Sequence, residues 1–297
     1  MTTTQTMAVY GLGAMGYGMA QSLLRADHRV WGVDLSDERR DRFIAEGGAA
    51  GPVDAAILDA AVIVVLNADQ TRAILTGADG LIGRMPAGGA IVSCATVPPR
   101  FAREMAALAA DAGLHYLDAP ISGGAAKAAS GQLSIMASGT KAAFKAAQPA
   151  LNAMAETVFE LGDEAGPGSA MKAINQLLAG VHIAAMAEAV IFGMTQGVDP
   201  QTTVDVISKC AGSSWMFENR GPRLAAGDYE PRSSVNIWPK DLGIVQDIAR
   251  EAKFSAPLAA AALQQFLAAA GSGLGDEDDC AVAKIYARNA GLTAPGG

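Results

Sequence analysis

Six residues, Gly11-Leu12-Gly13-Ala14-Met15-Gly16, are spaced as G-x-G-x-x-G. Between a strand and a helix that spacing suits a pyrophosphate. The first glycine permits a tight turn, the second lets phosphate approach the backbone, and the third lets the helix pack closely on the strand. The free N–H groups and partial positive charge of the helix start then face the anion. An apolar run, Met7–Tyr10, precedes the loop, and a segment with Met15, Met19, Leu23 and Leu24 on one side follows it. Asp34 closes the next apolar run, 23 positions after Gly11. A carboxylate there accepts hydrogen bonds from a ribose diol and repels a 2′-phosphate, which favours NAD over NADP. Arg39 and Arg40, one turn on, count the other way. Capping of the next helix by Asp34 or Ser36 is the plainer alternative.

A second group of polar residues stands much further along. Lys172 and Asn175 are three apart and share one helix face, with Gln176 in reach and His182 extending the stripe. Burying such a stripe is costly unless it lines a cavity or finds partners. A lysine whose pKa is lowered by burial or a neighbouring cation can act as a base. A solvated surface lysine and a packed core histidine are the competing readings of Lys172 and His182. Ser122-Gly123-Gly124 follows a strand end and offers backbone N–H groups and one hydroxyl to a carboxylate, or is an ordinary loop. Glu188 reads as a helix-to-helix hydrogen-bond partner. The aromatics of Trp215–Arg220 read as packing at a domain interface, with Phe217, Asn219 and Arg220 also able to close over a polyol acid. The run Asp276–Asp279 reads as a solvated helix start.

The elements that must hold these residues change character along the chain. Up to about residue 165, apolar runs at Met7–Tyr10, Arg29–Asp34, Ala61–Leu66, Ala90–Ser93 and His115–Leu117 alternate with helix-like stretches at 13–25, 37–46, 69–75 and 100–112. Continuous rather than alternating apolar runs fit strands covered on both faces, hence a doubly wound parallel sheet of Rossmann type. Beyond it, Ser169–Gln196 is long, rich in Ala, Met and Ile, and free of proline, with glycines at both ends. Further helices are expected at Pro200–Cys210, Lys240–Lys253, Pro257–Ala270 and Glu277–Ala290, and the tail from Thr293 is expected to fray. The expected organisation is a dinucleotide-binding domain over 1–165 and an all-helical substrate and dimerisation domain over 166–297, joined by the long helix.

Composition narrows the function classes. The 297 residues are 51% hydrophobic and carry a net charge of −8, which argues against a nucleic-acid or anionic-membrane footprint. Three cysteines, none in a CxxC, argue against a disulfide framework or a metal site and point to a reducing compartment. Residues 1–7 have neither the basic nor the apolar region of a signal peptide, so a cytoplasmic protein is expected.

Three further motifs line up with the glycine loop: Asp118-Ala119-Pro120-Ile121-Ser122-Gly123-Gly124, Gly168-Ser169-Ala170-Met171-Lys172-Ala173-Ile174-Asn175, and Lys240-Asp241-Leu242. Together they resemble the β-hydroxyacid dehydrogenase family, the 3-hydroxyisobutyrate dehydrogenase-like enzymes, from Met7 to about Tyr286. Any one motif is weak and the combination is specific. The resemblance implies NAD-dependent oxidation of a small hydroxy acid by a homo-oligomer, a dimer or tetramer. It implies catalysis by Lys172 assisted by Asn175, and a substrate carboxylate held by Ser122, Gly123 and Gly124, with His182 near a substrate hydroxyl. Asn67, Thr96 and Lys240 join the glycine loop and Asp34 around the cofactor. Members commonly have Ser-Thr where this chain has Ala95-Thr96, so one hydroxyl is lost. The stretches 176–184 and 214–220 point, by resemblance, to L-threonate as the acid. Tartronate semialdehyde reduction and 3-hydroxyisobutyrate oxidation are the alternatives within the family. A non-catalytic dinucleotide-binding module and an imine reductase are alternatives that the presence of Lys172 argues against.

Overall fold

The computed structural model describes residues 4–297. The leader expectation falls partly on residues 1–3, which lie outside the described residues. The chain divides into two compact units, one running up to Lys172 and the other covering Ala173–Gly297.

In the first unit, β1 (Thr6–Tyr10), α1 (Gly16–Arg25), β2 (Arg29–Val33), α2 (Asp37–Ala45), β3 (Ala60–Ile63), α3 (Ala68–Thr76), β4 (Ala90–Ser93), α4 (Pro99–Asp111) and β5 (His115–Asp118) alternate. The strands form a five-stranded sheet in the order β2-β1-β3-β4-β5, every neighbouring pair parallel. Both faces are covered. Met7, Val9, Val30, Val62 and Val92 enter one core, while Ala8, Trp31, Ala61, Ile63 and Ile91 enter another. That alternation is the period of two expected of side chains along a strand. Because Tyr10 pairs with Val33 and Ile63, Ile63 with Ser93, and Ser93 with Asp118, the carboxyl ends of all five strands lie along one edge. The loops leaving that edge carry Gly11–Gly16, Asp34, Asn67, Thr96 and Ser122, the arrangement that places ligands in open α/β sheets.

The stretch 121–160, for which the sequence patterns give no elements, forms β6 (Ile121–Ser122), α5 (Gly124–Ser130), β7 (Leu133–Ala137), α6 (Lys141–Met154) and β8 (Ala155–Glu160). These strands make a second sheet in the order β6-β7-β8. An antiparallel bridge between Asp118 and Ser138 ties it to the end of β5.

Next comes α7 (Pro167–Thr195), whose first turn belongs to the first unit. Proline at its first position has a preset φ and gives up no needed donor. In the second unit follow α8 (Pro200–Ile207), α9 (Trp215–Ala226), α10 (Ile237–Glu251), α11 (Pro257–Ala269) and α12 (Ala283–Asn289). Among the described residues α7 alone is long and apolar enough to cross a membrane. Its Ile183, Met186, Ala187 and Val190 are nevertheless packed in the core of this unit with Trp238, Leu242 and Phe266. Glu188, as expected, finds a partner on another helix, Tyr286, whose hydroxyl burial and this contact push up to about 12.

Three expectations fail here. Asp278 and Asp279 are fully buried, with Arg223 Nη1 donating to Asp278 Oδ2 at 3.0 Å and Arg220 to both carboxylate oxygens of Asp279 at 3.0 and 3.1 Å. Two acids side by side are tolerated because each meets its own arginine. Arg220 and Asn219 are engaged internally, Asn219 Oδ1 accepting from both Arg220 and Arg223, and Phe217 is packed in the core of this unit rather than exposed. Trp215, by contrast, is largely exposed. The C-terminal residues are docked rather than frayed, since Tyr229 donates its hydroxyl to Pro295 O at 2.8 Å and Ala294 is buried.

Candidate active site

The glycine loop is shaped partly by the protein and partly for something else. Gly11 has φ +98, and a Cβ on it would stand 2.3 Å from Val64 O; a Cβ on Gly16 would stand 1.9 Å from Gly11 O. Both are demanded by packing. Gly13 has an ordinary φ, and a Cβ there would meet nothing within 4 Å. The protein itself does not require a glycine at 13, whereas a pyrophosphate drawn against the loop backbone does. No side chain caps the first turn of α1, which leaves its N-terminal dipole for an anion. The loop thus fits a dinucleotide.

Asp34 faces the same loop. Leu12 N–H donates to Asp34 Oδ2 at 2.7 Å and Ser36 N–H to Oδ1 at 2.9 Å, with Arg39 3.6 Å away. Burial works to raise the pKa of this carboxyl, but the two backbone donors and Arg39 outweigh it and hold the group below its ordinary value. Ser36, not Asp34, caps α2, its hydroxyl accepting from Arg39 N–H. That removes the plainer alternative for Asp34. Asn67 caps α3, its Oδ1 accepting from Gln70 N–H at 2.9 Å, which occupies the side-chain oxygen of that cofactor candidate. Thr96 is half-buried just past β4.

The start of α7 is fixed by groups distant in sequence. Asp118 Oδ2 accepts from Gly166 N–H at 3.0 Å and Ser169 N–H at 2.8 Å, and Asp118 Oδ1 accepts from the Ser169 hydroxyl at 2.6 Å. Ser138 Oγ accepts from Gly168 N–H at 2.9 Å and donates to Asp118 at 3.3 Å. Orphan donors of the first turn are thereby satisfied, and a buried carboxylate is neutralised by a helix N-terminus rather than by a cation. Desolvation still dominates and keeps the Asp118 pKa raised. Gly168 makes the approach possible, because a Cβ there would lie 2.5 Å from Met136 O and 2.7 Å from Asp118 O.

One turn on, Lys172 Nζ donates to Ile121 O at 2.8 Å, beside Ser122. The amine is therefore brought to Ser122-Gly123-Gly124, where Gly123 and Gly124 both have positive φ. A Cβ on Gly124 would again meet nothing within 4 Å. In the second unit, Asn175 Nδ2 donates to Gln176 Oε1 at 2.8 Å, Gln176 Nε2 donates to Asp241 Oδ2, and Lys240 Nζ pairs with Asp241 Oδ1 at 2.7 Å. His182 is half-buried and lies two turns, about 10.5 Å, along α7 from Asn175. In the sequence Asp118 and Asp241 stand only as letters of a motif, and nothing there assigns a role to Ser138 or Ser169. The partners are 20 to 65 residues apart, so no local pattern joins them.

A family profile described as the NAD binding domain of 6-phosphogluconate dehydrogenase matches residues 6–162, and one described as NAD-binding of NADP-dependent 3-hydroxyisobutyrate dehydrogenase matches 166–286. L-threonate dehydrogenase of Cupriavidus necator is 49% identical, over 99% of both chains. The 3-hydroxyisobutyrate dehydrogenase of Pseudomonas aeruginosa is 34% identical over 88% of this chain and 90% of its own. The crystal structure of a Salmonella typhimurium protein described as 3-hydroxyisobutyrate dehydrogenase superposes with a TM-score of 0.89. It is 46% identical and covers 95% of this chain and 99% of that one.

Proposed function

The chain belongs to the 3-hydroxyisobutyrate dehydrogenase-like family of β-hydroxyacid dehydrogenases, and on that footing we propose that it oxidises L-threonate to the 2-oxo acid with NAD. The observation that carries the catalytic part is Lys172 Nζ, held 2.8 Å from Ile121 O at the edge of Ser122-Gly123-Gly124. In this reading the Ser122 hydroxyl and the backbone of Gly123 and Gly124 bind the substrate carboxylate. Lys172, as the neutral amine, takes the C2 hydroxyl proton, and Asn175 holds the same hydroxyl. Gly11–Gly16 receive the pyrophosphate, Asp34 the ribose diol, and Asn67, Thr96 and Lys240 complete the cofactor surroundings. NAD, when bound by these residues, would supply the hydride acceptor. The ionised Asp34, one residue from Leu35 rather than from an arginine, supports NAD over NADP.

Support for L-threonate comes from relatives of that name and from polar residues on α7 beyond those that a carboxylate and one hydroxyl require. The same reading includes a homo-oligomer, supported by Ile174, Leu178 and Phe192, each at least half exposed along α7. It also includes a cytoplasmic setting, supported by three free cysteines. The experiment is NADH formation by the purified protein over three- and four-carbon hydroxy acids, with NAD and NADP side by side. Activity on L-threonate with NAD is the expected result; no activity on any of these acids overturns the proposal.

A further inference from the structure

We infer that Gln176 is a positioning residue that sets which way round the Asn175 amide faces the substrate, with buried Asp241 as its fixed reference. The inference rests on the reading above that Asn175 meets the substrate hydroxyl. An amide side chain is nearly symmetric in shape but not in chemistry, since one end donates and the other accepts. What orients it must be a group that can do only one of the two. Asp241 is such a group: a carboxylate only accepts, it is 2% exposed, and Lys240 Nζ lies 2.7 Å from its other oxygen. The end of Gln176 that meets Asp241 must therefore be Nε2. Its Oε1 is then turned to Asn175, and an oxygen there demands the Asn175 nitrogen, as observed at 2.8 Å. The Asn175 Nδ2 carries two hydrogens; Gln176 takes one and leaves the other as a donor. A donor is what a substrate alcohol needs from a second residue, because its one proton goes to Lys172 and negative charge develops on the oxygen left behind.

The packing of this unit supports the chain of contacts. Gln176 is 7% exposed, and Gly180, one turn later, lets α7 approach α10 so closely that a Cβ would stand 2.9 Å from the Trp238 ring. The amide is thus trapped between two helices with a choice of orientation that only Asp241 resolves. A buried amide in the wrong orientation would leave two polar contacts unmade at once.

The test is a double-mutant cycle on kcat, with NADH binding and thermal unfolding followed in parallel. Gln176→Leu lowers kcat by about tenfold or more in the wild-type background, a loss typical of a misplaced reacting group. If Gln176 acts through Asn175, the same substitution costs less than about twofold once Asn175→Ala is present. NADH affinity stays unchanged in both. A purely structural Gln176 would cost the same factor in either background, and that additivity overturns the inference. Should Gln176→Leu not fold, Gln176→Glu with Asp241→Asn keeps the question open to measurement. Gln176→Glu alone sets two carboxylates against each other and lowers both the unfolding temperature and kcat. Adding Asp241→Asn restores a donor opposite an acceptor, and recovery of kcat to within about threefold supports the inference. Failure of the pair to recover, in a folded protein, overturns it. A wild type that oxidises none of the hydroxy acids overturns the proposed function itself, which separates the two failures.

Discussion

The Ser169 hydroxyl donates to Asp118 Oδ1 across 2.6 Å, although the two residues are 51 positions apart. Through that bond the helix carrying Lys172 is tied to the strand end that leads into Ser122. The clamp is satisfied by donors and contains no cation, so its strength rests on geometry.

Ser169→Ala removes one charge-assisted bond and leaves the Asp118 carboxylate short of a donor. Hydrogen bonds to charged groups contribute about 1.5–3 kcal/mol, so a stability loss of about 2 kcal/mol is expected in urea denaturation. Lys172 lies three residues on, and kcat should fall with little change in NAD affinity. Lost stability with unchanged kcat would mean that the clamp serves the fold alone.

Lys172→Met removes the proposed base while keeping most of the side chain's length. We expect kcat to fall by about 10²-fold or more, the range for losing a positioned acid or base. Lys172→Arg should fare no better, because a guanidinium does not give up its proton near neutral pH. Dissociation constants for NAD, read by calorimetry, should stay within about twofold. Near wild-type turnover in either variant would remove Lys172 from the chemistry.

Asp34 should govern the choice of cofactor, and without pH dependence in the working range. Its folded pKa lies below the ordinary 3.8, burial being outweighed by the N–H groups of Ser36 and Leu12 and by Arg39. The stabilisation of the charged form is therefore present above the unfolded pKa and lost only as pH falls through the lower, folded value. The ratio of kcat/KM for NAD to that for NADP should be flat between about pH 6 and 9, where an unperturbed carboxyl is also ionised. Asp34→Ser with Leu35→Arg should move the ratio toward NADP by removing the repelling charge and adding a phosphate partner. An unmoved ratio would leave Asp34 as a support of the Leu12 backbone only.

Arg220 is expected to matter for stability rather than for substrate. It is 9% exposed and grips both oxygens of the fully buried Asp279, which also accepts from the Trp238 indole at 3.1 Å. Arg220→Leu strands that charge, and breaking one side of a buried pair costs about 3–5 kcal/mol. Chemical denaturation measures it. A variant of normal stability but raised substrate KM would return Arg220 to the binding site.

The parallel sheet and the long helix are legible in the sequence because their signals are local. Uninterrupted runs such as Ala61–Ile63 can be buried on both faces, and the proline-free stretch after Pro167 allows little but a helix. The second sheet is not legible: β6 has two residues, and β8 is largely exposed and lacks an apolar run. Asp278 and Asp279 look like a solvated cap for the same reason, since their arginines sit 55 and 59 residues away. In the candidate site, Lys172, Asn175 and Ser122 could be named from motifs. The groups that orient them, Asp118 and Asp241, act across distances that periodicity does not encode.

The preferred acid should be the one whose hydroxyls the site can pair. Arg220 is engaged with Asp279, and Asn219 with Arg220 and Arg223, so the side chain on α7 proposed for an extra hydroxyl of a sugar acid is His182, Asn175 being assigned to the reacting one. These two lie about 10.5 Å apart along the helix, so they cannot both serve the reacting carbon. We propose that His182 meets a hydroxyl at the far end of a four-carbon acid. A site built to pair with a hydroxyl rejects an analogue that lacks it, because its own polar groups are left unpaired. L-threonate should be oxidised with a kcat/KM at least about 10²-fold above that for 3-hydroxyisobutyrate, which carries a methyl where the sugar acid carries hydroxyls. His182→Leu should narrow that ratio by about tenfold, the worth of one lost hydrogen bond, while NAD affinity holds. Both acids are assayed on wild type and variant by NADH formation. Equal kcat/KM on the two acids in the wild type would sink the threonate assignment and leave the hydroxy-acid dehydrogenase reading in place. A variant with an unaltered ratio would return His182 to the core of its helix.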